Sequence, residues 1–311
     1  MTDSFYTEII EGLTKSPKTL PSKYFYDKRG SELFQTIMKL PEYYLTKSEY
    51  EILNNQSGEI FNDFSAKQKF DIIEFGAGDG SKTKLLLKEF LKQTNNFVYS
   101  PIDISKSALK GLEQTFREEL PLLKINPIND DYFSALESMK NKDTTKLVMF
   151  MGSNIGNFKY NEEVDFLKLM RKNLSQGDCV LIGFDLKKDP RIILDAYNDK
   201  SGVTKEFNLN LLKRINSELG ADIDISSFEH YPTYNPITGE AISYLISMKN
   251  QQIRIKDKRF EFKQSEPIFM EISKKYSTED IEELALSTGF EIIKNYYDCK
   301  HYFADSLWRA K

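Results

Sequence analysis

Histidine and cysteine are almost missing from this chain: its 311 residues hold two of each, His230, His301, Cys179 and Cys299. So few cysteines exclude a disulfide scaffold, and their positions show no metal-ligand spacing. No metal site is expected, and no triad built on histidine. Cys179, within Cys-Val-Leu-Ile-Gly-Phe, reads as a packing residue of a buried strand. Apolar runs are short as well. None approaches the roughly 20 residues needed to cross a bilayer, so no membrane contact is expected. The opening residues Met-Thr-Asp-Ser-Phe-Tyr-Thr-Glu lack the basic and apolar segments of a signal peptide, which makes the cytoplasm the expected compartment. Positive charge is nowhere concentrated: the net charge is −4, with Lys and Glu interspersed. Without a basic face a nucleic-acid partner is not expected. A small-molecule substrate and a monomeric chain are the expectation instead.

What the chain does hold is a glycine-rich turn. Residues 70–75 are an apolar run with β-branched members, bounded by glycine, as in a buried parallel strand. Gly76, Gly78 and Gly80 follow, and residues 81–93 carry Leu85, Leu86 and Phe90 at helical spacing. Strand, turn and helix make the first unit of a doubly wound α/β fold, whose ligand crevice lies beyond the carboxyl end of the strand. The dinucleotide fingerprint needs a glycine where Ser81 stands. The pattern is Glu-x-Gly-x-Gly-x-Gly, beginning at Glu74, which resembles that of S-adenosylmethionine-dependent methyltransferases. Glycines there let the backbone approach a ligand where a Cβ would collide. A nucleotide-binding or merely tight turn is the other reading.

Residues 97–102 form the next strand and end at Asp103, about 25 residues past the glycines. An acid there accepts hydrogen bonds from ribose hydroxyls in doubly wound folds; as an N-cap for a helix beginning near Ser105 it would have a purely local role. A third strand and its loop reach Asp131 and Tyr132. A fourth strand, 146–151, leads to Gly-Ser-Asn-Ile-Gly-Asn157, and a fifth covers 178–184. All these strands end at one edge, so Asp103, Asp131 and Asn157 should converge on the glycine turn.

The flanks differ. A helix is expected over 4–14, another over 31–38, and Thr46 with Glu49 reads as a capping box for a helix to about Leu53. Tyr24, Phe25, Tyr26, Tyr43 and Tyr44 form an aromatic cluster read as a cap over the α/β core, with one or two hydroxyls available to a ligand. After Asp185 come helices over 190–218, antiparallel strands over 228–234 and 241–248, and a hairpin over 251–262. Ser277 and Asp280 cap a returning helix, and two strands close the main sheet. The length allows two domains. They are placed at 1–51 with 188–276 (substrate-binding) and 52–187 with 277–311 (cofactor-binding).

Five stretches in order carry a family resemblance: Leu40-Pro-Glu-Tyr-Tyr, the glycine turn with Ser81-Lys-Thr, Gly152-Ser-Asn-Ile-Gly-Asn, Asp195-Ala-Tyr with Phe207-Asn-Leu-Asn-Leu-Leu, and Met270-Glu-Ile-Ser-Lys. Together the chain resembles the histidine-specific Nα-methyltransferase family, whose best-known member makes hercynine on the route to ergothioneine. The resemblance implies a class I Rossmann-like methyltransferase domain, a second α+β substrate domain, and S-adenosylmethionine as cofactor. It places that cofactor against Tyr26, Gly76, Lys82, Asp103, Asp131 and Tyr132. It places Tyr43, Asn157 and Tyr197 around the α-amino and α-carboxylate groups of the amino acid, with Asn157 and Tyr43 orienting the reacting nitrogen. Glu271 and Ser273 fall at the imidazole, and Tyr244 stands where family members carry Met on the strand beneath it.

The residue chemistry agrees. Lys82 at a helix N-terminus suits a carboxylate, although an ordinary solvated lysine would look the same. Residues two apart on a strand share a face, so Glu271 and Ser273 can reach one ring. A carboxylate accepts from imidazole N–H and a hydroxyl serves the other nitrogen; a surface acid paired with Lys274 or Lys275 is the plainer reading of Glu271. No strong catalytic base stands out. Methylation of another amino acid, such as a tryptophan derivative, is the nearest alternative; a silent adenosyl-binding subunit and a polymer methyltransferase stand further off.

Overall fold

The computed structural model describes residues 2–64, 69–138, 144–159 and 161–311. In chain order these begin with α1 (Thr2–Thr14), β1 (Lys18–Thr19), α2 (Lys28–Ile37) and α3 (Tyr44–Phe64). Then come β2 (Phe70–Phe75), α4 (Thr83–Gln93), β3 (Phe97–Ile102), α5 (Lys106–Glu119), β4 (Lys124–Ile125) and α6 (Tyr132–Ser138). β5 (Thr145–Phe150), α7 (Glu162–Asn173), β6 (Cys179–Asp185), α8 (Pro190–Tyr197) and α9 (Val203–Leu219) follow. The antiparallel part is β7 (Phe228–Asn235), β8 (Glu240–Ser247), β9 (Gln251–Ile255), β10 (Lys258–Phe262) and β11 (Pro267–Lys274). The chain closes with α10 (Thr278–Ser287), β12 (Phe290–Tyr297) and β13 (Phe303–Ala310). Among the described residues no helix is long and apolar enough to cross a membrane.

Two compact units emerge, Met1–Tyr44 with Lys188–Lys274, and Leu45–Lys187 with Lys275–Lys311. In the second, seven strands lie in the order β12-β13-β6-β5-β2-β3-β4. β2 pairs in parallel with β3 on one side and β5 on the other. Strand order therefore reverses at β2, which puts the topological switch point of this doubly wound sheet at the glycine turn. β13 runs antiparallel between β6 and β12. Apolar strands with both faces covered explain the fully buried β6 and the core built from Phe75, Val148, Ile182 and Trp308. The Ser277–Asp280 capping box forms as its sequence indicates and starts α10.

The first unit has its own core, in which Phe5, Phe25, Leu211, Leu245 and Met270 are buried. Its main sheet has the order β1-β11-β8-β7, and β9 with β10 makes a separate hairpin. β11 carries a register shift. Phe269 lies opposite Tyr244 but Glu271 lies opposite Ser243, so Met270 is the extra residue of a β-bulge.

Two local expectations need correction. α3 starts at Tyr44 and runs to Phe64, so Thr46 and Glu49 do not cap it; Glu49 has partners far along the chain. The third strand shrinks to Lys124–Ile125, and Asp131 and Tyr132 open α6. Of the aromatic cluster, Phe25 is buried in the first unit's core with Tyr24 and Tyr43 packed against it, and Tyr26 lies edge-on to Phe34 and Phe207.

Candidate active site

The turn after β2 is built from left-handed glycines: Gly76, Gly78 and Gly80 have φ of +67°, +57° and +67°. A Cβ on Gly76 would come within 2.5 Å of the Tyr132 hydroxyl oxygen, and one on Gly80 within 2.6 Å of the Phe116 ring. Gly78 is different: a Cβ there would meet nothing within 4 Å. Its backbone faces open space, as a turn that a ligand approaches must.

Asp103 closes onto this turn. Its carboxylate accepts from the Ser105 N–H at 2.8 Å and also from the Gly78 amide. Burial raises its pKa, and these two amides oppose the rise. The N-cap of α5 is Ser105, whose hydroxyl accepts from the Ala108 N–H at 3.3 Å. The capping alternative for Asp103 is thereby removed, and a carboxylate tied to the glycine turn remains. Tyr132 packs against Phe75 and Phe150; burial, then the Asp103 and Glu74 carboxylates, push its phenol well up. Asp131 is exposed and accepts from the N–H and hydroxyl of Ser134 at 3.1 and 2.8 Å, which makes it a cap for α6.

Lys82 stands as the N-cap residue of α4, and its ammonium turns to Glu49 of α3. The other Glu49 oxygen accepts from the Gly152 N–H at 2.5 Å. Burial works against the Lys82 charge, but the Glu49 carboxylate outweighs it and the pKa rises. Glu74 lies beneath, accepting from the Thr83 hydroxyl at 2.6 Å and from the Tyr99 hydroxyl. Burial lifts its pKa to about 7 against the pull of those two hydroxyls and Lys82. Beyond Gly152, the segment 154–157 is a short 3-10 helix. Asn154 Nδ2 lies 3.4 Å from where a Gly76 Cβ would sit, whereas Asn157 is exposed at the segment's end. Gly76, Lys82, Asp103 and Tyr132 are thus assembled in one unit with Gly152 and Asn154, which sequence reasoning did not single out. Glu49 and Asp305 were missed too. A lone acid in the apolar run Phe303-Ala-Asp-Ser-Leu-Trp was a visible signal.

The remaining candidates lie in the first unit. The Tyr197 hydroxyl donates to Ser273 Oγ at 2.8 Å, joining the end of α8 to β11. Glu271 and Ser273 lie opposite Ser243 and Ala241, alternate residues of β8, and so share a face. His230 Nε2 lies 3.4 Å from Ser243 Oγ on that same face. Burial lowers its pKa to about 4, leaving a neutral imidazole. Tyr244 does not belong there. It lies opposite Phe269, with the rings 6.0 Å apart, on the other face of the sheet. The residue on β8 facing the same way as Glu271 is Ser243. Tyr26 is 46% exposed and packs edge-on against Phe34 and Phe207.

Among the described residues one group of metal-ligand type is brought together, Glu51, Asp298 and Cys299. Its geometry is accounted for by hydrogen bonding, since Cys299 donates its N–H and S–H to Glu51 at 2.9 and 3.4 Å.

A sheet with its switch point at a glycine turn, an acid on the next strand and a lysine at the following helix define the class: a class I, S-adenosylmethionine-dependent methyltransferase. Residues 5–310 match the histidine-specific, S-adenosylmethionine-dependent methyltransferase family, and the chain belongs to it. It is 33% identical over 302 residues to the histidine N-alpha-methyltransferase of Mycobacterium tuberculosis, covering 96% of this chain and 93% of that one. Ergothioneine biosynthesis protein 1 of Schizosaccharomyces pombe is 30% identical over 94% of this chain, which spans 39% of that longer protein. The L-tryptophan methyltransferase of Psilocybe serbica is 29% identical, with 92% and 87% covered. The residues of the glycine turn fit the adenosyl cofactor: Gly78 leaves it room, and Asp103 offers acceptors beside that opening.

Proposed function

We propose that the enzyme methylates the α-amino group of L-histidine, to the trimethylated betaine hercynine. The observation that carries this reading is the shared face of Glu271 and Ser273, with Ser273 held by Tyr197, in a chain of the histidine-specific family. A carboxylate and a hydroxyl on one face suit the two nitrogens of an imidazole. An indole offers a single N–H, so of the half-buried Glu271 carboxylate and the Ser273 hydroxyl only one would find a partner on the ring.

The bound cofactor supplies an electrophilic methyl group on a sulfonium. Asp103 would accept from its ribose hydroxyls, Lys82 would meet its carboxylate, and Gly76, Asp131, Tyr132 and Tyr26 would complete its contacts. Tyr43, Asn157 and Tyr197 hold the amino and carboxylate ends of histidine. Asn157 and Tyr43 aim the amine lone pair, and burial favours the neutral amine that must attack. Position is the main contribution, since holding two reactants in line replaces an encounter in solution. The unit Met1–Tyr44 with Lys188–Lys274 supplies most of the substrate's contacts, and Leu45–Lys187 with Lys275–Lys311 most of the cofactor's.

Mass spectrometry of free amino acids incubated with the enzyme and S-adenosylmethionine tests this. Histidine should gain one, two and three methyl groups. Tryptophan preferred over histidine would move the assignment to the indole reading.

A further inference from the structure

Lys82 does not stand alone at the edge of the glycine turn. Glu49 from α3 pairs with it, a Cβ on Gly152 would lie 3.4 Å from its ammonium, and the Glu74 and Asp305 carboxyls of β2 and β13 act on its charge. Glu49 reaches its place because Gly183 is on the strand beneath; a Cβ on Gly183 would come within 2.6 Å of Glu49 Oε1. Asp305 lies directly opposite Gly183 in the β13–β6 pairing, and hence on the same face. It is completely buried, and neither of its carboxyl oxygens has a hydrogen-bond partner among the described residues. Two acids thus lie under one ammonium on the sheet face. Lys82 keeps 23% of its side chain exposed, while Glu49 keeps 1%. The lysine is the lid of this cluster and the carboxyls are its floor.

Two neighbouring carboxyl groups out of water cannot both ionise cheaply; one keeps its proton. Asp305 is that one. Burial, then the Glu49 carboxylate, raise its pKa well above the usual carboxylate range, against the pull of Lys82. Glu49 is the one of the two whose oxygens have partners, the ammonium and the Gly152 N–H. A lysine on a flexible four-carbon stem has rotamer entropy to lose in holding one place. An anchor beneath it removes that cost from the ligand.

We propose that Glu49 and Asp305 are positioning residues, which hold Lys82 where the negatively charged end of the adenosyl donor meets it. This rests on the reading of Lys82 as the partner of the donor's carboxylate. Glu49 acts through Lys82, and Asp305 acts by staying neutral, so that Glu49 faces the ammonium without a second charge beside it.

Calorimetry with S-adenosylhomocysteine tests the proposal through three variants. Lys82→Met should weaken binding at least tenfold. Glu49→Gln, which keeps an oxygen for the Gly152 N–H, should weaken it about tenfold and change the KM for histidine less than twofold. In the Lys82→Met background, adding Glu49→Gln should cost less than a further twofold. Wild-type affinity in Lys82→Met removes the underlying reading of Lys82. A weakened Lys82→Met beside an unaffected or tighter Glu49→Gln, or losses that add in the double variant, overturns the positioning role alone. A measurement on the unaltered enzyme covers the case in which a variant does not fold. Its ligand-induced infrared difference spectrum should show a protonated-carboxyl C=O band shifting as S-adenosylhomocysteine binds, and Asp305→Asn should lack that band. No band shift in the wild type overturns the role given to Asp305.

Discussion

The hydroxyls of Tyr197 and Ser273 lie 2.8 Å apart, and the bond fixes the end of α8 to the strand that carries Glu271. A single neutral hydrogen bond of this kind contributes about 1 kcal/mol. Tyr197→Phe should therefore raise the KM for histidine about fivefold, by the usual conversion of 1.4 kcal/mol per tenfold. Affinity for S-adenosylhomocysteine, measured by calorimetry, should stay within twofold.

Tyr244 and Glu271 occupy opposite faces of one sheet, as the pairing of Tyr244 with Phe269 and of Glu271 with Ser243 requires. Kinetics should separate them. Glu271→Ala removes a charged hydrogen-bonding partner, worth about 1.5–3 kcal/mol, and should raise the histidine KM at least tenfold. Tyr244→Phe should change it less than twofold. Equal effects would place both side chains at the substrate and contradict the register.

Lys275 and Asp185 form an ion pair at 2.8 Å with both side chains completely buried. Removing one member of such a pair strands the other in the interior, a loss of about 3–5 kcal/mol. Lys275→Met should show that loss in denaturant unfolding. The double variant Lys275→Met with Asp185→Leu should recover much of it, because the stranded charge is gone.

Glu74 gives stability a pH dependence of definite sign. Its pKa is lifted in the folded protein to about 7, chiefly by burial, from an ordinary 4.5. The folded state holds the proton more tightly, so the associated stability is complete below pH 4.5 and is lost as the pH rises to about 7. The whole span amounts to about 3 kcal/mol. Glu74→Gln cannot ionise. Its unfolding free energy relative to wild type should climb by roughly that amount between those limits and then level off.

Much of this was legible in the sequence, and the exceptions have causes. β2, its glycines and α4 were readable because apolar period and glycine placement are local properties. The β7–β8 alternation and the Ser277–Asp280 box were readable for the same reason. Glu49 was misread because the capping-box pattern is local, whereas its actual partners are 33 and 103 residues away. Asp305 was passed over although an acid amid apolar strand residues calls for a buried role. Tyr244 was placed beneath the imidazole by resemblance, and a motif match says nothing of a strand's register against the next.

The bulge at Met270 has a further consequence. Regular pairing from Phe269 onward would set Glu271 against Ile242 and turn its carboxylate toward the outer surface, with Ser273 following it. One supernumerary amino acid shifts the parity of everything after it, and so both polar side chains point inward. Transplanting this strand into another scaffold, or aligning it to a distant sequence without counting that residue, would invert the chemistry it presents while leaving every letter of the motif intact.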